Sequence, residues 1–320
     1  MTIFKRVKNP HYIWENEVMK SGILVFFYLV SAFLLGQEAP TGVYLKVLGT
    51  VQDGGAPHIA CKKKCCSHLN AEEINNRKVT ALEVFDTATE KSLLFEATPD
   101  IVSQWTALRY PLQGIFITHA HIGHYSGLLQ LGREALGAKK IPVFAMPKMQ
   151  SFLENNAPWS QLVTLENIVI ESLENKKTIR PIKAVQVTPL RVPHRDEFSE
   201  TVGFIISGPH KTVLFIPDID KWSLWDEDLV LWLNKVDMAF IDATFFNSEE
   251  VQHRAISEIP HPLVQETIQL LNTKSKTFKN KVYFIHMNHT NPLLNQDGDT
   301  TKWVLKQGFR IARLGQQFKL

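Results

Sequence analysis

Short apolar stretches recur along the chain from position 43 onward, each closed by glycine, proline or polar residues, the pattern of buried strands punctuated by turns. Residues 43–48 read as a first strand, and 49–55 as a turn-rich glycine loop. Residues 81–85 and 92–95 read as a hairpin around 86–91. Further strands are expected at 114–118, 141–145, 168–173, 182–189, 201–207, 212–216, 238–241 and 281–285. Longer segments with helical spacing fall at 99–108, 126–136, 149–155, 229–236, 262–271 and 300–307, the first capped by Thr98 or Asp100. Strands open each half and helices intervene, which favours a mixed α/β (α+β) fold of layered sheets with helices outside.

The N-terminus breaks this rhythm. Residues 22–35 form one apolar run, shorter than the roughly 20 residues a spanning helix needs. Met19-Lys20 would supply a start and a positive end before it, and Gly36-Gln37-Glu38-Ala39-Pro40 a small, polar exit. That is the anatomy of a secretory signal peptide. Residues 1–40 are therefore read as an N-terminal extension and signal peptide, with 1–18 lying upstream of the true start. Residues 41–320 are read as the folded domain, exported to the periplasm or secreted. The alternative is a membrane anchor through residues 22–35.

Composition adds little constraint. The chain has 320 residues, 44% hydrophobic and 21% charged, enough for a large core. A formal net charge of +3 with scattered lysines and arginines is too mild to imply nucleic acid as a partner. A small-molecule substrate is expected, with membrane contact only through the N-terminal run.

The chemistry concentrates after the strand at 114–118. Thr118-His119-Ala120-His121-Ile122-Gly123-His124 delivers three histidines together, in a chain that has only 12. His119 and His121 lie two apart and share a face on an extended backbone. Neutral imidazole is the usual zinc ligand. Other candidate ligands follow other apolar runs: His194 after Val192-Pro193, Asp218 after Ile216-Pro217, and His286 after Phe284-Ile285. All three cysteines fall in Cys61-Lys62-Lys63-Lys64-Cys65-Cys66. An odd count suits disulfides poorly, and the spacing of Cys61 and Cys65 fits a structural zinc site. One disulfide plus a free thiol is the other reading.

The block at 119–124 resembles the H-x-H-x-D-H signature of the metallo-β-lactamase superfamily, and His194, Asp218 and His286 follow in that superfamily's order. Membership implies a four-layer αββα sandwich. It implies one metal on His119, His121 and His194, and a second on His124 and His286, with Asp218 bridging both. Zinc is the expected metal, with manganese or iron as alternatives for the exchangeable sites. Gly123 departs from the pattern, because the superfamily has an Asp there. The second site is therefore expected to be weakened, or completed by Asp220 or water. A rise in hydrolysis on replacing Gly123 with Asp would mark a detuned hydrolase.

Gly49–Gly55, Ala97–Asp100, Ile216–Asp220 and Phe284–Pro292 look like the branch that contains coenzyme PQQ synthesis protein B, with the likeness running from about Tyr44 to the C-terminus. The cyclic phosphodiesterase of phosphonate metabolism, another member, closes a cysteine-rich zinc site with a histidine just beyond its last catalytic one. That likeness nominates His289 to complete Cys61, Cys65 and Cys66, with His68 in competition. It also nominates His261, in Ile259-Pro260-His261-Pro262, as the acid that protonates a leaving group, beside Asp218. His58 is a weaker pocket candidate. Asp100 is expected either to orient a metal ligand or to cap a helix. The resemblance thus implies a metal-dependent hydrolase in which a metal-bound hydroxide attacks a phosphodiester, an ester or a lactone-like carbonyl; a β-lactam is disfavoured by the cysteine cluster. The alternative is a PQQ-pathway oxidase or carrier without hydrolytic activity.

Overall fold

Strand β1 (Val43–Gly49) buries Val43, Leu45 and Val47 on one face, while Tyr44 and Lys46 on the other stay partly accessible. This is the two-residue alternation of a half-buried strand. β2 (Ala81–Asp86) and β3 (Lys91–Phe95) form the expected antiparallel hairpin. β4 (Leu112–Phe116), β5 (Ile141–Ala145) and β6 (Ile168–Ser172) then add in parallel. The C-terminal strand β14 (Gln317–Lys319) returns to pair with β1, completing a seven-stranded sheet in the order β14-β1-β2-β3-β4-β5-β6.

The second sheet has the same mixed character. β7 (Ile179–Ile182), β8 (Val185–Arg191), β9 (Val202–Ser207) and β10 (Thr212–Ile216) pair antiparallel. β11 (Met238–Asp242), β12 (Val282–Ile285) and β13 (Arg310–Ile311) continue in parallel, giving the order β13-β12-β11-β10-β9-β8-β7. The computed structural model describes residues 41–251, 255 and 258–320, so the signal-peptide and anchor expectations for residues 1–40 lie outside the described residues. Among the described residues, no helix is long and apolar enough to cross a membrane.

Three apolar clusters define four layers. Phe95, Phe116, Phe204 and Phe215 lie in the cluster between the two sheets. A second cluster packs helices Leu229–Lys235, Val264–Leu270 and Asp299–Lys306 on the outer face of the second sheet. A third packs helices Ile101–Thr106, Pro147–Asn155 and Trp159–Thr164 on the outer face of the first. The αββα sandwich is therefore present. At its centre Phe116 is fully buried, stacked 4.8 Å from Phe95 and 4.4 Å from Phe144, with Phe204 edge-on at 5.4 Å. Phe116→Ala should cost about 3–5 kcal/mol through lost contacts and a residual cavity, readable as a lowered urea midpoint at unchanged slope.

Some expected elements differ. The helix at 126–136 is only a 3-10 turn, Ser126–Leu131. Gly127 lets the backbone approach closely, since a Cβ there would lie 2.1 Å from the Thr98 carbonyl oxygen, and Gly132 and Gly137 follow before a helix can propagate. The strand at 182–189 is instead a hairpin, β7 and β8, turning at Lys183-Ala184. Strands β13 and β14 and helices Lys64–Ser67, Ala71–Asn76 and Trp159–Thr164 carried too few periodic residues to be anticipated. Asp100 takes the N-cap position of helix Ile101–Thr106, but its side chain neither caps the helix nor contacts a candidate metal ligand. Its carboxylate accepts the Val79 N–H at 2.8 Å and sits near Lys78, and the following helix receives no side-chain cap from it.

Candidate metal centres

The carboxyl ends of β4, β10, β11 and β12 open onto one edge of the sandwich, the place where open α/β sheets bind ligands. Each apolar strand carries its terminal polar residue there because the buried run on both sheet faces leaves no other solvent-facing position. The His119–His124 block leaves β4, Asp218 follows β10, Asp242 ends β11 and His286 follows β12. His194 comes from the connection between β8 and β9, held by Val192 N–H to Thr201 O and by Asp220 N–H to Pro193 O.

Three candidate donor groups among the described residues share Asp218: two of four residues each, and a third of Asp218, Asp242 and His261. The first unites His119, His121, His194 and Asp218, with each offering one donor atom and all of these within 4.8 Å of one another. His119 Nε2 lies 2.8 Å from His121 Nδ1 and 3.4 Å from Asp218 Oδ2, and His194 Nε2 lies 3.3 Å from that oxygen. The second group unites His124, His286 and Asp218 with Asp53, a residue not anticipated as a ligand. Asp53 Oδ1 is 3.0 Å from both His124 Nε2 and His286 Nε2. Ligands held at about 2.0–2.2 Å around a tetrahedral ion would be separated by about 3.3–3.6 Å, close to these spacings.

The donor chemistry fits metal. Both ring nitrogens of His194, Nε2 of His124 and Oδ1 of Asp218 are buried with no well-formed hydrogen bond among the described residues, although Asp218 Oδ2, Asp53 Oδ1 and His261 Nδ1 lie 3.0–3.3 Å from three of them. Buried orphans of this kind cost free energy unless something fills them. The other nitrogens are tied outward, as metal-ligating histidines require. His119 Nδ1 meets Thr118 Oγ1 at 2.9 Å, His124 Nδ1 meets Glu96 Oε1 at 3.2 Å, and His286 Nδ1 meets Thr244 Oγ1 at 3.0 Å. Glu96 and His286 hold φ values of 79° and 66°, left-handed conformations that ordinary side chains adopt only under local constraint. Burial and the neighbouring His124 charge hold His119 well below the usual histidine range, so it is neutral and ready to ligate. Burial alone would raise the Asp218 carboxyl, but the His194, His261 and His286 rings outweigh it and keep it ionised.

His261 joins the edge of this centre. Its Nδ1 lies 2.9 Å from Asp242 Oδ2 and 3.1 Å from Asp218 Oδ1, so Nδ1 carries a proton and Nε2 is the atom free for chemistry. Burial would depress the ring, yet the Asp242 and Asp218 charges push it up to about 10. Asp242 is itself fixed by the Ile219 and Thr244 N–H groups. It went unnoticed in the sequence although it directly follows an apolar strand, the same signal that marked Asp218. His261 lines a cavity of about 400 Å³ with Gln52, Arg195, Thr244, Phe245 and Glu250.

The cysteines form a separate group with His289, donor atoms again within 4.8 Å. Cys61 Sγ is 3.9 Å from Cys65 Sγ, and Cys65 Sγ is 4.0 Å from Cys66 Sγ. Those separations are far from a disulfide and close to the edge of a zinc–thiolate tetrahedron with bonds of about 2.3 Å. Burial lowers His289 to about 4, leaving it neutral, and its Nδ1 is occupied by Asn288 Oδ1 at 3.0 Å. His68 is exposed and stands outside the group. His58 does not line the cavity; its ring stacks on His289 at 4.6 Å. Asp220 accepts the Lys221 N–H and belongs to neither ligand group.

Known proteins share this fold. A coenzyme PQQ synthesis protein B from Methylorubrum extorquens (strain PA1) is 23% identical over 303 residues, covering 85% of this chain and 98% of the relative. The structure of Zn(2+)-bound PqqB from Methylobacterium extorquens superposes with TM-score 0.70 at 21% identity, covering 87% of this chain and 100% of that one. A diphosphatase from the PhnP family gives TM-score 0.63 at 19% identity, covering 87% and 97%. At such identities the structural likeness shows the fold. Residues 91–287 match the family described as Beta-lactamase superfamily domain, and the chain belongs to that superfamily.

Proposed function

We propose that this protein is a metal-dependent hydrolase acting on an anionic phosphodiester or ester-type small molecule. The observation that carries this reading is the pair of four-residue donor groups sharing Asp218, with His261 touching Asp218 on one side and lining a cavity on the other. Ions held there would act as Lewis acids, lowering the pKa of coordinated water and polarising the reacting group.

The chain's own residues supply the rest. His119, His121, His194 and Asp218 would hold one ion, and Thr118 fixes the His119 ring so that Nε2 faces inward. His261, its Nδ1 proton anchored between two carboxylates, presents Nε2 to protonate a leaving oxygen. Arg195, next to His194 at the cavity wall, sits near enough to Glu197 to hold that carboxyl down and would offer its guanidinium to substrate charge. Phe245 closes the wall beside His261, with ring centres 5.9 Å apart.

The test is turnover of bis-p-nitrophenyl phosphate by protein reconstituted with Zn²⁺ or Mn²⁺, alongside an uncharged ester of the same leaving group. Turnover of the phosphodiester supports the reading; no turnover of either overturns it. Arg195→Gln should raise KM about tenfold or more for the anionic substrate, the scale of a hydrogen bond to a charged group, and leave the neutral ester unaffected.

A second reading follows from the relatives named coenzyme PQQ synthesis protein B, which this chain covers almost end to end. In that case the cavity binds a quinone precursor. Absence of hydrolysis together with oxygen consumption by an iron-loaded form, or tight precursor binding, would favour it.

A further inference from the structure

Gly123 has no side chain where the superfamily signature has a carboxylate. A Cβ placed on it would lie 2.5 Å from Asp53 Cα and 2.6 Å from both Asp53 Cγ and Oδ1. The bare Cα of Gly123 is thus the space through which Asp53 reaches His124 and His286. A carboxylate on residue 123 and a carboxylate from residue 53 exclude one another. The expected deficit at the second site is therefore filled from a different part of the chain. Gly123→Asp collides with Asp53 rather than repairing anything.

Asp53 arrives on the glycine loop, and that loop is held from its far side by the cysteines. Gln52 N–H donates to Met287 O at 2.9 Å, and Met287 N–H donates to Thr50 O at 2.8 Å, so the loop lies along the segment that carries His286 and His289. The His58 ring occupies the space beside Gly54, 2.6 Å from where its Cβ would be, and stacks on His289. His58 N–H donates to Cys66 Sγ at 3.3 Å, and Cys61 N–H donates to His58 O at 3.1 Å. The same two chain segments thus furnish Asp53 and His286 to one centre and Cys61, Cys65, Cys66 and His289 to the other.

We infer that Asp53 is the carboxylate ligand of the second ion, admitted by Gly123, and that the thiolate centre sets that ion's affinity by pinning the loop that carries Asp53. This rests on the metal-binding reading of the site given above. Two sites that share their supporting segments are thermodynamically coupled, and the coupling is reciprocal. Loss of the ion held by Cys61, Cys65, Cys66 and His289, or of the three thiolates, loosens Asp53. Loss of the second ion in turn makes the thiolate-held ion easier to extract.

The test uses the full chain and Co²⁺ alone as probe. Ions per chain are counted by elemental analysis and affinities measured by calorimetry, with thiolate-to-cobalt absorption marking the cysteine centre. Asp53→Asn should weaken one non-thiolate ion by at least the roughly 10- to 100-fold that loss of even an outer partner costs. Gly123→Ala should reproduce that loss by displacing Asp53. Cys66→Ser should weaken the same ion although it contacts none of that ion's ligands. Should Cys66→Ser fail to fold, an organomercurial added to folded, loaded wild-type protein should release the thiolate-held ion and then speed release of the second. An Asp53→Asn protein whose non-thiolate ions bind within twofold of wild type would remove Asp53 from the site. Retention of the second ion after thiolate loss would remove the coupling. If wild type holds only the thiolate-bound ion, the metal-dependent hydrolase reading fails instead, which is a separate result.

Discussion

Asp218→Ala should abolish hydrolysis and empty both catalytic ion positions at once. Asp218 belongs to both four-residue groups, and among the described residues no other side chain does. A metal clamp on a reacting group supplies several kcal/mol, and each 1.4 kcal/mol is tenfold in rate. The expected fall in kcat/KM is at least about a thousandfold. Elemental analysis should show the cysteine centre still loaded, because its four residues include no ligand of the emptied positions, although its ion should be extracted more readily than in wild type. The fold itself should persist, since the sheet core contains none of these polar residues. Near-normal turnover by a folded Asp218→Ala protein would refute the assignment of the active centre.

The second large effect concerns His261. Removing a positioned general acid typically costs about a hundredfold to ten-thousandfold. His261→Ala should show that loss for substrates with poor, alkoxide-like leaving groups. It should be nearly silent for p-nitrophenolate, which departs without protonation. The leaving-group dependence of kcat separates proton donation from simple support of Asp218, which Nδ1 also contacts at 3.1 Å. Support alone would lower kcat equally across leaving groups. His261→Gln, which keeps a polar donor but not the titratable ring, should fail to rescue the slow substrates.

Much of this centre was legible along the chain because its ligands obey a local rule. Each of His119, Asp218 and His286 follows directly on a buried strand, and a strand buried on both faces can display polar chemistry only where it ends. The histidine block identified itself by density, and the cysteine cluster by spacing. Other parts obeyed no local rule. Glu96, Thr118 and Thr244 orient ligands from neighbouring strand ends, and residues of those types are common at strand ends everywhere. Arg195 stood beside a recognised ligand but gained meaning only from the cavity it lines. The hairpin β7–β8 and the short C-terminal strands carried too little periodicity to mark their limits.

By itself the sequence determined the layered α/β architecture, the four strand-end histidine and aspartate sources, and the cysteine cluster, because burial periodicity and ligand spacing are properties of short segments; which histidine joins the cysteines came from a family likeness. Only the tertiary structure brought Asp53 into the space beside Gly123 next to His124 and His286, placed His261 against Asp242, and set both candidate donor groups on the same pair of segments. Those facts depend on which strand ends meet across the sandwich, and chain positions as distant as Asp53 and His286 carry no local mark of their 3.0 Å contact.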